Sequence, residues 1–313
     1  MYDSTVTVFG GSGFIGRYVV EKLAQKGWII RVAVRRPANA LFLKSAGMLG
    51  QITPIAANIR DRASVEAAVA GSDAVINLVG ILYQAGAQRF AAIQAEGAGL
   101  VARAAREAGA RQVVHISAIG ADPASPAAYA RSKAAGEEAM RTEFSAATIL
   151  RPSIVYGAED AFFNRFAAMA QISPFLPLIG GGRTLFQPVY VVDVADAVVA
   201  ALERPEAAGQ TYELGGPHIY SFRELMEFML LEIRRKRLLL PIPFPIASLQ
   251  GLLLQGLPRP PLTLDQVRLL RRDNIVAAGA KGLPDLGVAP TALELILPTY
   301  LDRYRPQGSY NRK

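Results

Sequence analysis

Tyr129 and Lys133 stand four residues apart in the segment YARSK, and Ser117 ends the apolar segment VVHIS before it. A spacing of four on a helix places two side chains on one face. An ammonium group beside a phenol lowers the pKa of the phenol, and a serine hydroxyl can orient a substrate oxygen. The three residues therefore form a complete acid–base set, although Tyr129 and Lys133 could instead hold the ribose of a nucleotide that never reacts.

Three glycines punctuate the segment VFGGSGFIGRYVVEKL near the N-terminus. Gly10, Gly13 and Gly16 fall where an apolar strand pattern passes into a helical one. Glycine there allows a tight turn and a close approach of the backbone to a pyrophosphate, while the helix N-terminus offers N–H groups to an anion. The segment predicts a nucleotide-binding turn that includes Phe14 and Ile15.

The residues after the second strand pattern indicate which nucleotide is preferred. An NAD site usually carries an acidic residue there, but no acid occurs between Trp28 and Asn58. Arg35 and Arg36, in VAVRRP, can instead pair with a 2′-phosphate, and Arg17 can join them. These residues predict NADP(H), although either arginine of the VAVRRP segment could be no more than a solvated strand end.

Further contacts with the nucleotide are expected where later strand patterns end. Asn58 follows ITPIAA, where the third strand should meet the adenine edge, so its amide either binds the base or forms a turn. Val79 and Gly80 follow the fourth strand pattern, DAVINLVG, and are assigned to the same site.

Apolar runs alternate with helical patterns over the first two hundred residues, from TVTVF to ATILRPS. Such alternation indicates parallel βαβ units with helices on both faces of one sheet. We therefore predict an α/β fold with a doubly wound Rossmann sheet formed by residues 1–151 with 186–204. A smaller, α-rich C-terminal docking region is expected from residues 152–185 with 205–313.

The C-terminal region begins with a helix signal and continues into uncharged sequence. Ser221 and Glu224 have the spacing of a capping box. The basic cluster RRKR at 234–237 either closes that helix or marks an interfacial segment. The run from Leu238 to Pro258 carries no charge, but three prolines break its first half, so it is expected to lie on a surface rather than to span a membrane.

Composition and charge limit the partners of the chain. Its 313 residues include no cysteine and two histidines, so neither disulfides nor a metal site is expected. The net charge of +8 resides mostly beyond Ile219, where 14 basic side chains face 8 acidic ones. We expect an anionic neighbour there, either a phospholipid surface or an acidic protein face. No nucleic acid is expected, because the basic residues are not interleaved with aromatic ones. The early strand pattern predicts a cytosolic protein, or one whose presequence was removed.

Several of these segments resemble a known superfamily. GGSGFIG, HIS, YARSK, ILRPSIVYG and VYVVDVADAV resemble the extended, or atypical, short-chain dehydrogenases/reductases. Over nearly the whole chain, AYARSKAAGEEAMR, LFQPVYVVDVADAV and DLGVAPTALEL resemble the nucleotide-binding accessory subunits of respiratory complex I. The resemblance implies a tightly held NADPH and a place among other complex I subunits, beside the quinone-binding region of the peripheral arm. It also implies a peripheral position on the cytoplasmic side of the bacterial inner membrane, or on the matrix side in mitochondria.

By position, the resemblance assigns the candidate residues to successive parts of NADPH: Gly10, Gly13 and Gly16 to the pyrophosphate, Arg17 and Arg35 to the 2′-phosphate, Tyr129 and Lys133 to ribose and nicotinamide, and Pro152 and Ser153 to the nicotinamide end. Two departures from the superfamily pattern stand out. Asn58 occupies a position at the adenine edge that is often acidic, and the C-terminal third is apolar and rich in proline where a polar substrate pocket would be expected.

Three functions fit these observations. The first is a non-catalytic, NADPH-holding accessory subunit of complex I. The second is an active NADPH-dependent reductase or epimerase, because Ser117, Tyr129 and Lys133 are all present. The third is a regulator that binds partners according to its nucleotide. His115 is expected to be a core histidine, and Asp193 and Asp196 are expected to cap a helix rather than to act in catalysis.

Overall fold

The computed structural model describes residues 4–257 and 260–308. Its strands are β1 (Thr5–Phe9), β2 (Ile29–Val34), β3 (Ile52–Ala56), β4 (Ala74–Asn77), β5 (Gln112–Ile116), β6 (Thr148–Pro152), β7 (Val155–Tyr156), β8 (Phe175–Ile179), β9 (Leu185–Phe186), β10 (Val189–Tyr190), β11 (Thr211–Leu214), β12 (Tyr220–Ser221) and β13 (Leu238–Ile242). Its α-helices are α1 (Phe14–Gln25), α2 (Arg62–Val69), α3 (Glu96–Glu107), α4 (Ala128–Glu143), α5 (Phe163–Ile172), α6 (Val191–Glu203), α7 (Phe222–Glu232), α8 (Phe244–Leu254), α9 (Leu264–Leu269) and α10 (Leu293–Leu301).

The chain divides into two compact units. The first comprises Met1–Pro152, Val192–Leu214 and Gly279–Ala289, and the second comprises Ser153–Val191, Gly215–Ala278 and Pro290–Lys313. Relative to the expected bounds, residues 152, 205–214 and 279–289 group with the first unit, and residues 186–191 group with the second. Backbone pairing accounts for the difference. Strand β11 pairs with β6, an N–H of β11 donates to a carbonyl of the 279–289 segment (2.8 Å), and β10 pairs with β7.

Seven parallel strands form the sheet of the first unit, in the order β11-β6-β5-β4-β1-β2-β3. The central strands β1, β4 and β5 are almost wholly buried, as expected for a parallel sheet that is covered on both faces. The strand order reverses between β1 and β4, and ligands of doubly wound sheets bind outside the carboxyl ends of strands at such a point. The predicted doubly wound α/β fold is confirmed.

A buried ion pair ties α4 to the sheet of the first unit. The Glu137 carboxylate accepts two hydrogen bonds from Arg151 of β6, from Nε at 2.8 Å and from Nη2 at 2.7 Å. These hydrogen bonds and the charge of Glu137 raise the pKa of Arg151. Arg141 approaches the same carboxylate at 3.5 Å and donates to Thr211 of β11 (2.8 Å). Because Glu137 lies one turn after Lys133, the ion pair also fixes the helix segment that carries Lys133.

The second unit has a core of its own, formed by large apolar side chains of α5, α7 and α10. Phe162, Phe166, Phe186 and Phe222 contact one another with ring centroids 5.4 to 6.3 Å apart. The buried carboxylate of Asp160 accepts hydrogen bonds from the first N–H of α5 and from a tyrosine hydroxyl of α10, both at 2.6 Å. Aromatic packing and this polar link hold α5 and α10 together.

Helix α7 begins at the predicted capping box, which is confirmed. Ser221 Oγ accepts from the Glu224 N–H (3.2 Å), and Glu224 Oε2 accepts from the Ser221 N–H (2.7 Å). The RRKR cluster lies beyond the end of α7, so it does not close the helix. Arg235 and Arg237 instead donate to carbonyls of the second unit, at 2.9 and 2.8 Å.

The uncharged run 238–258 forms β13 and α8, and its last residue, Pro258, lies outside the described residues. Across the described part of the chain, none of the helices has both the length and the apolar character needed to cross a membrane.

Candidate functional site

The glycine turn joins β1 to α1, as the sequence predicts. Gly10 adopts a φ of +79°, and the Gly13 N–H donates to the Gly10 carbonyl (2.9 Å). Gly16 packs against the turn, because a Cβ there would lie 2.6 Å from the Cα of Gly11. Phe14 and the residues after it form a first helical turn without an acidic side chain. The positive end of the helix dipole therefore faces a turn that has room for an anionic group.

Three arginines lie near the carboxyl ends of β1 and β2. Arg17 is half-buried in α1, with its guanidinium carbon 5.3 Å from the ring centroid of Phe42. Arg35 and Arg36 follow β2 directly and are exposed. Gly10 donates its N–H to a carbonyl of β2 (3.1 Å), so the arginine pair and the glycine turn follow neighbouring strand ends. Phe42, in the 3-10 helix Pro37–Ala46, was not predicted, because only the fold brings it beside Arg17.

Asn58 forms a turn between β3 and α2. Its Oδ1 accepts from the Arg60 N–H (3.2 Å), and its own N–H donates to Ser64 Oγ (2.9 Å). The structure thus shows the turn, one of the two roles predicted for this residue. Its Nδ2 group makes no hydrogen bond to residues 4–257 or 260–308, and base binding stays a prediction.

Val79 and Gly80 connect the glycine turn with Lys133. They lie in the loop after β4, where a Cβ added to Gly10 would be 3.3 Å from Cγ2 of Val79. A Cβ added to Gly80 would be 3.3 Å from Nζ of Lys133. This loop therefore lies against both the glycine turn and Lys133.

Two buried amides shape the same loop and were missed by sequence reasoning. Asn77, the last residue of β4, accepts from the Val79 N–H (3.1 Å). Gln94 accepts from the Ile81 N–H (3.3 Å) and donates to Ser132 of α4 (2.9 Å). Gln94 lies in the π-helix Ala91–Ala95, a rare feature that is frequent at functional sites. The available signal was a lone polar residue inside each apolar pattern, VINLV and AAIQA.

The structure brings Ser117, Tyr129 and Lys133 together beside the carboxyl end of β5. Lys133 is buried, donates to the Ile116 carbonyl (3.1 Å) and lies 5.9 Å from the ring centroid of Tyr129. Tyr129 is half-buried and meets the edge of Phe90, with ring centroids 5.9 Å apart. Ser117 Oγ is buried, and none of the described residues bonds to it. A buried hydroxyl without a partner is consistent with a ligand group at this position.

The expected lowering of the tyrosine pKa is wrong for this structure. Loss of hydration raises the pKa of Tyr129 to about 12. Burial also lowers the pKa of Lys133 to about 8, and the charge of Glu137 offsets this only in part. At 5.9 Å from the ring, the ammonium does not outweigh the desolvation of the hydroxyl. The phenol is thus a weaker acid than the residue pattern suggests.

The remaining candidates are placed as follows. Pro152 ends β6 and accepts from the Ile119 N–H (3.0 Å), whereas Ser153 opens the second unit with its Oγ 2.8 Å from two oxygens of Asn274. His115 is buried in β5, as expected, but neither of its ring nitrogens has a hydrogen-bond partner among the described residues. Desolvation lowers its pKa to about 3, so it is neutral.

Two aspartates of α6 differ in their surroundings. Asp193 lies buried in the first turn of the helix, and Asp196 binds Lys22 (2.8 Å). Among the described residues, no group of acidic and histidine side chains could hold a metal ion.

The fold and the glycine turn define a Rossmann-type nucleotide-binding protein. The sequence model of the NAD dependent epimerase/dehydratase family matches residues 6–215, so the chain belongs to that family. An NADPH-dependent quinone oxidoreductase of Escherichia coli shares the fold, with a TM-score of 0.74, 20% identity and coverage of 95% of this chain and 98% of the other.

Within that family, the chain is related to the proteins named NADH dehydrogenase [ubiquinone] 1 alpha subcomplex subunit 9. It is 38% identical to NADH dehydrogenase [ubiquinone] 1 alpha subcomplex subunit 9 of Arabidopsis thaliana, over 96% of this chain and 78% of that protein. The mouse subunit of the same name is 35% identical, over 96% of this chain and 80% of that protein. A ceramide reductase of Caulobacter vibrioides is 31% identical, but over 64% of this chain and 61% of that protein.

Proposed function

We propose that this chain is a non-catalytic accessory subunit of respiratory complex I that holds NADPH as part of its fold and stabilises the peripheral arm near the quinone site. One observation carries the proposal. The similarity to subunit 9 of Arabidopsis thaliana covers 96% of the chain, whereas the match to the sequence model of the epimerase/dehydratase family ends at residue 215. Most of the second unit lies beyond residue 215, so its sequence links the chain to complex I subunits and to partners among them.

The preference for NADPH rests on charge. Arg17, Arg35 and Arg36 lie around the strand ends where a 2′-phosphate would sit, and the segment between Trp28 and Asn58 has no carboxylate to accept from a ribose hydroxyl. Guanidinium groups suit a phosphate, because they donate several hydrogen bonds in a fixed plane. NADPH is therefore the expected resident nucleotide.

Each part of the site would hold one part of the nucleotide. The glycine turn and the N-terminus of α1 would receive the pyrophosphate. Lys133 would donate to the nicotinamide ribose and Tyr129 would pack beside it, and the buried hydroxyl of Ser117 would meet the same end. Bound NADPH supplies a hydride only when a substrate is present. A ligand that binds only the folded state stabilises it by mass action, which is sufficient for a structural role.

The pKa of Tyr129 supports the absence of turnover. Efficient general acids have pKa values near the working pH, whereas burial raises the pKa of this phenol to about 12. Such a group stays protonated at neutral pH and can donate a hydrogen bond. The arrangement thus favours holding the nucleotide over reacting with it.

Purification from native membranes tests the proposal. We expect the chain to co-purify with complex I subunits and to release NADPH on denaturation, as identified by mass spectrometry. Recovery as a free protein without complex I subunits would overturn the assignment. Recovery within the complex, but with NADH or without a nucleotide, would overturn only the assignment of NADPH.

The alternative is an active NADPH-dependent reductase or epimerase. The intact set of Ser117, Tyr129 and Lys133 favours it, as does the similarity to a ceramide reductase over 200 residues. An active enzyme would oxidise NADPH on addition of carbonyl compounds and exchange the nucleotide within an assay. Absorbance at the nicotinamide band distinguishes the two functions directly.

A further inference from the structure

Helix α8 exposes its large apolar side chains and buries its small ones. Ala247 and Gly251 face the interior of the second unit, and a Cβ on Gly251 would lie 2.8 Å from the backbone nitrogen of Leu264. The opposite side carries large aliphatic residues, and a further exposed leucine follows the helix. These residues are 50–71% exposed, and we name the set the leucine face: Ile246, Leu249, Leu252 and Leu253 of α8, with Leu257 after it. Helices of soluble proteins normally turn their large apolar side chains toward the core. A neighbour other than water is therefore expected to cover this face.

Further exposed apolar residues precede the leucine face in the sequence. Leu238 and Leu240 of β13 are exposed, and no charged residue occurs between Arg237 and Arg259. The helix has 11 residues. At ~1.5 Å per residue it is about 16 Å long, roughly half the thickness of a bilayer core. Such a helix can lie in the interface of a membrane but cannot cross it.

The helix next to α8 carries basic residues. Arg268, Arg271 and Arg272, at and after the end of α9, are exposed. Helix α9 packs against α8, and the guanidinium of Arg271 lies 5.0 Å from the ring of Phe244, the first residue of α8. Two acids lie nearby. Asp265 is half-buried in α9, and the carboxylate of Asp273 accepts a backbone hydrogen bond from Leu185 (2.8 Å). The balance beside the helix is positive.

The chemistry of the face distinguishes between possible neighbours. Protein interfaces usually combine aromatic anchors with hydrogen-bonding groups at their rim. The leucine face is aliphatic throughout, and the neighbouring segment 265–273 carries three arginines against two aspartates. An apolar helix face beside cationic side chains is what an anionic phospholipid surface binds.

We propose that the leucine face inserts into the interfacial layer of an anionic phospholipid bilayer, with Arg268, Arg271 and Arg272 placed to meet lipid phosphates. This inference deepens the proposed function by naming the partner of this part of the second unit. It requires neither the nucleotide nor another complex I subunit, so it can fail while the proposed function holds.

Vesicle co-sedimentation of the purified full-length chain tests the inference. One set of vesicles contains phosphatidylcholine alone, and the other contains phosphatidylcholine mixed with phosphatidylglycerol. We expect binding to the mixed vesicles, weakened by salt. Each leucine removed from the membrane should lower partitioning by about tenfold. The double variant Leu249→Gln, Leu253→Gln should therefore lose nearly all binding.

Matched variants distinguish the effect of the leucine face from the effects of other exposed leucines and of charge. Leu295→Gln changes another exposed leucine of the second unit and should leave vesicle binding unchanged. Arg268→Gln and Arg272→Gln should each weaken binding to the anionic vesicles by about fivefold and leave weak binding to phosphatidylcholine unaffected. Melting temperature and nucleotide content, which should match those of the parent, show that each variant is folded.

A fluorescent reporter provides an independent readout. Leu253→Trp places an indole on the leucine face, and its emission should shift to the blue when anionic vesicles are added. The inference is overturned if the parent chain does not bind such vesicles, or if the glutamine double variant binds them as well as the parent does. It is also overturned if the double variant keeps vesicle binding but loses co-purifying complex I subunits, because the face would then belong to a protein partner.

Discussion

Helix α1 of the first unit buries Val19, Val20 and Leu23 and turns polar side chains outward. Helix α8 of the second unit instead buries Ala247 and Gly251 and turns its large aliphatic side chains outward. The side chains that lack a suitable neighbour within the described residues also differ between the two units. In the first unit they are polar, as in the buried Ser117 hydroxyl beside β5. In the second unit they are aliphatic. Under the two proposals above, the first unit would receive a polar ligand and the second an apolar neighbour.

The largest effect is expected from the ion pair that holds the first unit together. Glu137→Ala leaves the Arg151 guanidinium without its two hydrogen bonds in a largely buried place, which should lower the free energy of unfolding by about 4 kcal/mol. Chemical denaturation measures this loss. Glu227→Ala removes the exposed partner of Arg223 in the second unit (3.6 Å) and should change little. A similar loss from both variants would contradict the role given to the buried pair.

The buried lysine should make the stability of the first unit depend on pH. Because burial lowers the pKa of Lys133 to about 8, the unfolded chain binds a proton that the folded chain lacks between pH 8 and about 10. After removal of the nucleotide, stability should rise across this window by up to about 3 kcal/mol. Below pH 8 both states carry the proton, and the cost of burying the charge is present in full.

Lys133→Met is the matched control for this titration. Methionine fills a similar volume without a charge, so the difference between the two proteins isolates the lysine. Free energies of unfolding at several pH values would be compared. A difference that does not change between pH 8 and 10 would contradict the expected burial of the charge.

The glycine turn should be the next most sensitive feature. Gly16→Ala places a Cβ 2.6 Å from the Gly11 Cα, and relief of this overlap should cost about 2 kcal/mol and expel the nucleotide. Differential scanning fluorimetry and the nucleotide content of the purified protein report both effects. Gly256→Ala, where no atom lies within 4 Å of the added Cβ, should be neutral. Retention of full nucleotide content by Gly16→Ala would argue against a pyrophosphate at this turn.

Loss of an arginine after β2 should weaken the binding of NADPH but not that of NADH. If Arg35 binds the 2′-phosphate as proposed, Arg35→Ala should weaken NADPH binding by about tenfold and leave NADH binding unchanged, because one charge-assisted hydrogen bond is lost. Isothermal titration with each nucleotide measures this selectivity. Lys44→Ala, another exposed cation of the following segment, serves as the control. Equal losses for NADPH and NADH would show that Arg35 does not read the phosphate.

The smallest effect is expected from removal of the Tyr129 hydroxyl. Tyr129→Phe should leave melting temperature and nucleotide content almost unchanged, because packing against Phe90 survives the loss of the hydroxyl. If the alternative function were correct, the same variant would abolish NADPH oxidation by carbonyl compounds. This variant therefore sharpens the contrast between a nucleotide that is held and one that reacts.

The sequence predicts the parts of this molecule whose determinants are local. The glycine turn, the strand-helix alternation and the capping box at Ser221 each depend on neighbouring residues, and the structure shows all three. The pairing of β11 with β6 and the packing of residues 279–289 depend on contacts across the chain. Sequence patterns do not carry that information.

Three features of the site and its surroundings were also beyond local patterns. The orientation of α8 could not be predicted, because a run that is apolar on every side has no periodicity that distinguishes inner from outer faces. The direction of the Tyr129 pKa shift depends on how much water the fold removes, which spacing to Lys133 does not reveal. Asn77 and Gln94 became recognisable only when their hydrogen bonds placed them around the loop after β4.

The ion pair of α4 has a consequence for how the Tyr-Lys signature is understood. Tyr129, Lys133, Glu137 and Arg141 form one stripe along the helix, and its C-terminal half anchors that helix to two strands. Lys133 itself fills an interior position and bonds to the backbone beside β5. A substitution in the C-terminal half of this stripe would thus destabilise the fold before it affected any chemistry. Architecture alone could keep such a signature intact long after any reaction had ceased.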